Sequence, residues 1–390
     1  MDSERFDVVI VGGAAVGSAV AYFLTHDLGF RGSVAVIERD PTYAKAATTL
    51  SAASIRQQFS TAENIRMSQF GVSLFRDLQA RFGADADIGF RERGYLLLAS
   101  EVGEATLRAN HRVQQAEGAD IVLLDPAALK EKFNWLDTTD VTLGAFGRTG
   151  EGWFDAHSLL GLLRGAARQG GARYVHDTVV GIEHAGARVT GVRLATGRRI
   201  ACGTLVNAAG PQAGDVAALA GLPLPVEPRK RCVFVVACRT ELPGMPLMVD
   251  TSGVWIRPEG SVYICGISPP EEQDPRATEF EVEYAQFDDV VWPALAQRVP
   301  AMEALKLQRA WAGHYDYNMF DQNAVIGPHP EMSNFIFANG FSGHGLQQSP
   351  ATGRAVAELI VHGRFVSLNL SIFGYARIAE GRAVRELNVI

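Results

Sequence analysis

Cysteine is scarce in this 390-residue chain, which has four: Cys202, Cys232, Cys238 and Cys265. They form no CxxC pair and no metal-ligand spacing, so neither a disulfide framework nor a bound metal is expected. No charged-then-apolar stretch precedes the first apolar run, and these absences together point to a reduced, cytoplasmic setting. Lysine is also rare, with only Lys45, Lys130, Lys132, Lys230 and Lys306; there is no long Lys/Arg run, and the formal net charge is −7. That pattern leaves no electrostatic footprint for nucleic acid or anionic lipid. No stretch approaches the roughly 18 to 20 uninterrupted apolar residues of a membrane span, because Arg, Asp, Glu or turn residues break every apolar run. Internal repeats and low-complexity tracts are missing as well. Small-molecule chemistry is what these absences favour.

What is present is apolar bulk. At 47% hydrophobic, the chain exceeds one ordinary core and is too short for three comfortable domains, so two lobes are expected. The first signal is "VVIVGGAAVGSAVAYFL", residues 8 to 24. Phe6 to Val11 form a continuous, largely β-branched run, Gly12 to Gly17 are small, and Ser18 to Leu28 carry a helical apolar pattern through Val20, Phe23 and Leu24: strand, turn, helix. A second run, Ser33 to Ile37, ends in Glu38, 21 residues after Gly17, close to the separation expected for an acid that holds a ribose hydroxyl. In such a loop Gly12 makes the tight turn, position 14 admits the pyrophosphate, and Gly17 allows strand and helix to pack. Gly13, Ala14, Ala15 and Val16 complete it. Ala14 adds a methyl where glycine is usual, but phosphate would be held by backbone N–H groups and the helix dipole, so the loop reads as a working variant. The plainer reading is a buried turn with a chance acid downstream.

After Glu38 and Arg39, residues 46 to 59 ("AATTLSAASIRQQF") are small and hydroxyl-rich. Thr48, Thr49, Ser51 and Ala52 could lie against a phosphate or a flat ring, or be ordinary loop. Ser60-Thr61-Ala62-Glu63 has capping-box spacing ahead of a helix marked by Ile65, Phe70, Phe75, Leu78 and Phe82. Arg56, just before it, suits a substrate carboxylate or a surface ion pair.

Taken together, residues 8 to 24 with Glu38, "TLSAASIRQQF", "TLVNAAGPQAGDVA" (204 to 217) and "FIFANGFSGHGLQQSPATGRAVAELI" (335 to 360) resemble the D-amino-acid-oxidase-type flavoproteins, and within them the glycine, sarcosine and dimethylglycine oxidoreductases. "IRQQFS", "PVEPRKR", "YDYNMFDQNAVIGPHP" and "GFSGHGLQQSP" are more similar still to the FAD-dependent oxidoreductase domain-containing proteins, a mitochondrial member of which assists assembly of respiratory complex I. The resemblance covers residues 5 to 375 and implies FAD. It implies that Ala208, Ala209 and Gly210 bring backbone close to the dinucleotide and that Val179 and Val180 flank the adenine. Gly343, His344, Gly345, Leu346 and Gln347 would form a turn feeding a helix over 346 to 361, whose amino terminus favours negative charge on the flavin. The implied fold is α/β: a Rossmann-like FAD-binding lobe built from residues 5–85, 150–225 and 320–373, an antiparallel-sheet substrate lobe from 86–149 and 226–319 with a helix near 279–298, and a tail, 374–390, that carries no signal.

Members of the resembled group pass hydride from the carbon beside an amine to flavin N5. Several fix the substrate carboxylate with an arginine near the start of the motif here occupied by "AGHYDYN", or with a basic residue after "GHG"; this chain has Tyr315 and Gln347 instead. Arg56, Lys230, Arg231 and Arg257 are the remaining cationic candidates. His314, Tyr315 and Tyr317 are candidates to orient substrate or to pack under the sheet, and His344 to touch flavin or substrate or to be structural. Residues 307 to 334 hold no cysteine, so FAD is expected to be noncovalent. "VYICGIS" holds no lysine to promote reaction with oxygen, so a dehydrogenase of a small amino acid or secondary amine, using an unidentified electron acceptor, is preferred to an oxidase. The other reading is a flavin-containing assembly or interaction protein with little turnover.

Overall fold

A computed structural model describes residues 4–387. The strand Glu4–Val11 pairs in parallel with Val34–Glu38 on one side and Arg199–Asn207 on the other. Arg173–His176 and Phe335–Asn339 extend the parallel ladder outward, and Val325–Pro328 closes one edge antiparallel, within a sheet of eight strands. Both faces of this sheet are covered, which is why its strands read as unbroken apolar runs rather than alternating ones. The hairpin Val179–Ala185/Arg188–Leu194 leads back into Arg199–Asn207.

The helix Ala15–Tyr22 begins three residues earlier than the apolar pattern indicates, because Ala14, in extended geometry, serves as its cap; it continues as a π-turn over Phe23–Asp27. Against it packs the long helix Gly345–His362. Pro350 lies inside that helix and cannot donate to the carbonyl of Leu346. The Ser349 hydroxyl donates to that carbonyl instead, at 2.8 Å, so the break in the ladder is healed one turn from the cavity described below.

The second sheet, also eight-stranded, runs from the edge strand Lys306–Asn318 through Val226–Ala237, Val262–Gly266, Trp255–Glu259 and Leu247–Val249 to Tyr95–Ala99, Leu143–Gly147 and Ile121–Leu124. It is antiparallel except where Leu247–Val249 lies parallel to Tyr95–Ala99. Its alternation sends Cys232, Phe234 and Val236 into a core with Phe287 and Leu295, and Val233 and Val235 to the opposite face. The helix expected near 279 starts at Tyr284 and runs to Arg298 through a π-turn, because the residues before it are drawn into contacts described below.

The capping box is not formed. Thr61 caps the helix Ala62–Arg76 without a side-chain bond, and Ser60 instead gives its N–H and hydroxyl to Glu386, at 2.7 and 2.6 Å. Glu386 also accepts from Asn64 at 3.0 Å and is buried. A carboxylate from the far end of the chain thus binds polar groups at this helix's amino terminus, where negative charge is favoured. The tail read as uninformative is a tether, although its residues 388–390 lie outside the described residues. No helix among the described residues is long and apolar enough to cross a membrane.

Candidate functional site

The carboxyl ends of the parallel strands and one end of the second sheet enclose a cavity of about 590 Å³. Gly12, Ala14, Ala15 and Val16 line one stretch of it and Glu38 and Arg39 the next; Thr48, Ser51 and Ala52 follow, then Val179 and Val180, Ala208 to Gly210, and Gly343, Gly345 and Leu346. Gly13, Gly17, Thr49, Arg56, Lys230, Arg257, Tyr317, His344 and Gln347 are not on this wall. A Cβ on Gly17 would run into the carbonyl of Gly12, and one on Gly12 into that of Ala208, so both are fixed by close backbone approach. Gly13 donates its N–H to Glu38 Oε2 at 2.8 Å. The Thr48 hydroxyl accepts from Ala15 N at 3.2 Å, while the Thr49 hydroxyl is spent on the Tyr43 and Ala46 carbonyls.

Arg56, Gln347 and His344 form a buried cluster behind the wall. Arg56 is 1% exposed. Its backbone N–H donates to Gln347 Oε1 at 2.9 Å and its guanidinium to the Gln58 carbonyl and, at 2.9 Å, to His344 Nε2; the guanidinium carbon lies 4.2 Å over the Phe59 ring. Burial first, and the Arg56 charge second, drive the His344 imidazole well below its ordinary range. Arginine can only donate, so neutral His344 carries its proton on Nδ1. Beside this cluster Glu151, fully buried, accepts from Gln57 N at 2.6 Å and Gln58 Nε2 at 2.9 Å, and burial pushes its carboxyl up to about 7.

The other side of the cavity is the sheet edge. Its wall includes Arg231, Gly313, His314, Tyr315 and Asp316. The Tyr315 ring crosses Gly343 so closely that a Cβ there would meet Tyr315 Cε2 at 2.5 Å, and Gly343 has φ +100°; no other residue suits that position. Arg231 stacks on Tyr315 at 4.9 Å. His314, held neutral by burial, donates from Nε2 to the Glu279 carbonyl at 2.7 Å. Asp316 accepts from Gly340 N and Phe341 N at 2.9 and 3.2 Å, and burial raises its carboxyl to about 6. Tyr317 stands off the wall, its hydroxyl accepting from Gln322 at 2.6 Å.

Of the other candidate cations, Arg257 is spent on the Ala52 carbonyl, at 2.9 and 2.6 Å, and on Glu259, and Lys230 on Glu279 and Glu283. Sequence reasoning missed Asp316 and Glu151 as titratable groups; their burial, the only signal that marks them, depends on contacts remote in sequence.

An extended dinucleotide fits this lining. Gly12, Ala14 to Val16, Thr48, Ser51, Ala52 and Ala208 to Gly210 line the cavity with backbone and small side chains, the Glu38 carboxylate stands at the end of its strand, and Gly345 and Leu346 bring the first turn of Gly345–His362 to the wall, where a helix amino terminus favours an anionic group. Cys232 also lines the cavity, but its thiol packs into the opposite core, where it accepts from Glu283 N at 3.4 Å.

Comparison with known proteins agrees with the geometry. The family described as "DAO: FAD dependent oxidoreductase" matches residues 7–359. The chain is 44% identical to FAD-dependent oxidoreductase domain-containing protein 1 of Xenopus laevis over 99% of its own length and 85% of the relative's. It is 27% identical to the sarcosine oxidase subunit beta of Rhizobium meliloti, covering 92% of this chain and 85% of that one. The crystal structure of L-proline dehydrogenase from P. horikoshii superposes with a TM-score of 0.87 at 26% identity, covering 98% of this chain and 100% of that one. With the family spanning both sheets and the whole cavity wall, the chain belongs to the DAO family of FAD-dependent oxidoreductases.

Proposed function

We propose that this oxidoreductase dehydrogenates a small amino acid or secondary amine at the carbon beside its nitrogen. Bound FAD supplies the electron acceptance, at flavin N5. The observation that carries the reading is the composition of the cavity wall, where a guanidinium (Arg231), a phenol (Tyr315) and a carboxyl (Asp316) line the same cavity as Gly343, Gly345 and Leu346. A zwitterion is the ligand that such a mixed, partly dry wall suits, since each of its charges finds an opposite partner. Asp316, whose proton affinity is raised by burial, is suited to take the proton of a substrate ammonium near neutral pH. Tyr315, likewise pushed up by burial, stays a neutral donor that can orient the substrate. His314 is neutral and fixed by Glu279, so it closes the site without adding charge.

Relatives named as a sarcosine oxidase subunit and an L-proline dehydrogenase support this substrate class. The strand Val262–Gly266 brings no lysine to the cavity, and Lys45, which does line it, lies 5.4 Å over the Phe280 ring; this supports an acceptor other than oxygen. The test is anaerobic bleaching of the bound flavin by sarcosine, dimethylglycine, L-proline and matched amines, followed by reoxidation with air or with a quinone. Bleaching by at least one secondary amine or amino acid, with slow reoxidation in air, is expected. If none bleaches the flavin, the reading falls and a non-catalytic assembly role takes its place.

A further inference from the structure

The segment joining Val262–Gly266 to the helix at Tyr284 has almost no regular structure beyond one 3-10 turn, Glu271–Gln273, yet it is fastened at many points. Asp274 grips the Arg231 fork with both oxygens at 2.8 Å. Arg276 pairs with Asp215 at 2.8 Å. The Glu279 carbonyl accepts a hydrogen bond from His314 Nε2, the Phe280 ring lies 4.2 Å from the His314 ring, and the Lys45 ammonium lies 5.4 Å over the Phe280 ring. Lys45, Asp215, Arg231 and His314 all line the cavity. Residues 268–283 are therefore a strap buckled onto the cavity's own walls.

The fastenings are unequal. In the Arg231–Asp274 pair the side chains are 9% and 7% exposed, whereas Arg276 and Asp215 are 50% and 59% exposed. Exposed pairs contribute little, about 0 to 1 kcal/mol. The buried pair matters more, because a guanidinium stripped of its carboxylate inside protein is costly, so Arg231 must hold an anion in every state of the site. Its fork accepts any carboxylate in the same two-pronged geometry, and it stacks on the Tyr315 ring that lines the cavity.

We propose that Arg231 receives the substrate carboxylate, that Asp274 occupies the same fork when no ligand is bound, and that exchange of one carboxylate for the other unbuckles the strap 268–283. The proposal rests on the amino-acid reading given above. Exchange keeps the charge and the number of hydrogen bonds at Arg231 constant, so that opening is resisted by the exposed Arg276–Asp215 pair, the Lys230 pairs with Glu279 and Glu283, the His314–Glu279 bond and one backbone bond from Ala277 N to the Pro228 carbonyl, with no guanidinium left bare. An amine without a carboxylate has nothing to trade for Asp274 and leaves the strap shut, so the latch selects amino acids over amines.

The test uses FAD-loaded protein and two probes that cannot be oxidised at nitrogen: tetrahydrofuran-2-carboxylate and its uncharged amide. Binding is read from the shift in flavin absorbance, and strap opening from the rate of tryptic cleavage after Arg276. In the native protein the carboxylate should speed that cleavage and the amide should not. Asp274→Asn, which removes the internal competitor, should tighten the carboxylate by about 10-fold and the amide by less than about twofold, while cleavage becomes fast without ligand. Arg231→Gln should abolish the preference for the carboxylate while FAD content is retained. Unchanged or weaker carboxylate binding in Asp274→Asn, or a native cleavage rate insensitive to the carboxylate, overturns the proposal; the second measurement needs no variant to fold. The two readings fail separately. Equal bleaching by amines with and without a carboxylate removes the latch and leaves amine oxidation standing, whereas carboxylate-driven cleavage with no bleaching by any amine does the reverse.

Discussion

Replacing Arg56 by glutamine separates a residue that holds the cavity wall from one that holds substrate. The guanidinium is 1% exposed, bonded to the Gln58 carbonyl and to His344 Nε2, and stacked on Phe59. Each charge-assisted bond contributes about 1.5 to 3 kcal/mol and the desolvated stacking about 2 kcal/mol. Against this, returning a buried charge to water on unfolding recovers several kcal/mol. The net cost of Arg56→Gln should therefore be about 3 kcal/mol, close to the low end for breaking a buried charged contact. A second effect has a definite sign. His344 is held neutral, with Arg56 as the second cause after burial. A histidine whose folded pKa lies below its unfolded value loses folding stability as pH falls below about 6.5. Removing Arg56 raises the folded value, so the acid-side decline should be shallower in the variant. Urea unfolding of the FAD-loaded proteins at pH 7.5 and 5.5, followed by the fluorescence of released flavin, measures both effects. A variant as stable as the native protein within about 0.5 kcal/mol, with FAD retained and carboxylate binding lost, would refute this reasoning and return Arg56 to the substrate.

Three further outcomes are expected. Glu38→Ala should weaken FAD by about 1.5 to 3 kcal/mol, the loss of a charge-assisted contact, whereas Ala14→Gly should be nearly neutral; equilibrium dialysis of apoprotein against FAD compares them. Acid or heat precipitation should release the flavin intact into the supernatant, since the Cys232 thiol faces the opposite core; yellow precipitate would show a covalent link. Glu151 has a folded pKa of about 7 against an ordinary 4.5, so the cost of ionising it in the folded protein grows between those pH values and is constant above them. Glu151→Gln should accordingly gain stability relative to the native protein as pH rises from about 4.5 to 7, by up to about 3 kcal/mol, and a pH-independent difference in urea midpoint would exclude this.

The cofactor half of the fold is legible in the sequence because it is held by backbone. The Gly12–Gly17 turn, Glu38 and the Gly343–Leu346 turn are each set by local constraints, a close approach, a strand end or a positive φ, and such constraints leave residue types at fixed spacings. The acids that stabilise the structure from a distance leave no such trace. Glu386 meets Ser60 and Asn64, and Glu151 meets Gln57 and Gln58, across separations that no periodicity records. The spacing of Ser60 and Glu63 favoured a capping box, and a remote carboxylate took its place.

The substrate half is opaque for a related reason. In an antiparallel pair the side chain that reaches a given point is supplied by either strand, since diagonal neighbours on one face are interchangeable in space. Arg231 lies opposite Gly313, and Arg229 opposite Tyr315; with glycine facing it, Arg231 is free to lean across onto the Tyr315 ring. A cation missing at position 315 is thus present in space although absent from the expected place in the sequence. Only the register of Val226–Ala237 against Lys306–Asn318 reveals it. Reading the chain by motif therefore finds a vacant clamp, while reading it by register finds a guanidinium beside the same tyrosine, already holding a carboxylate of the protein's own.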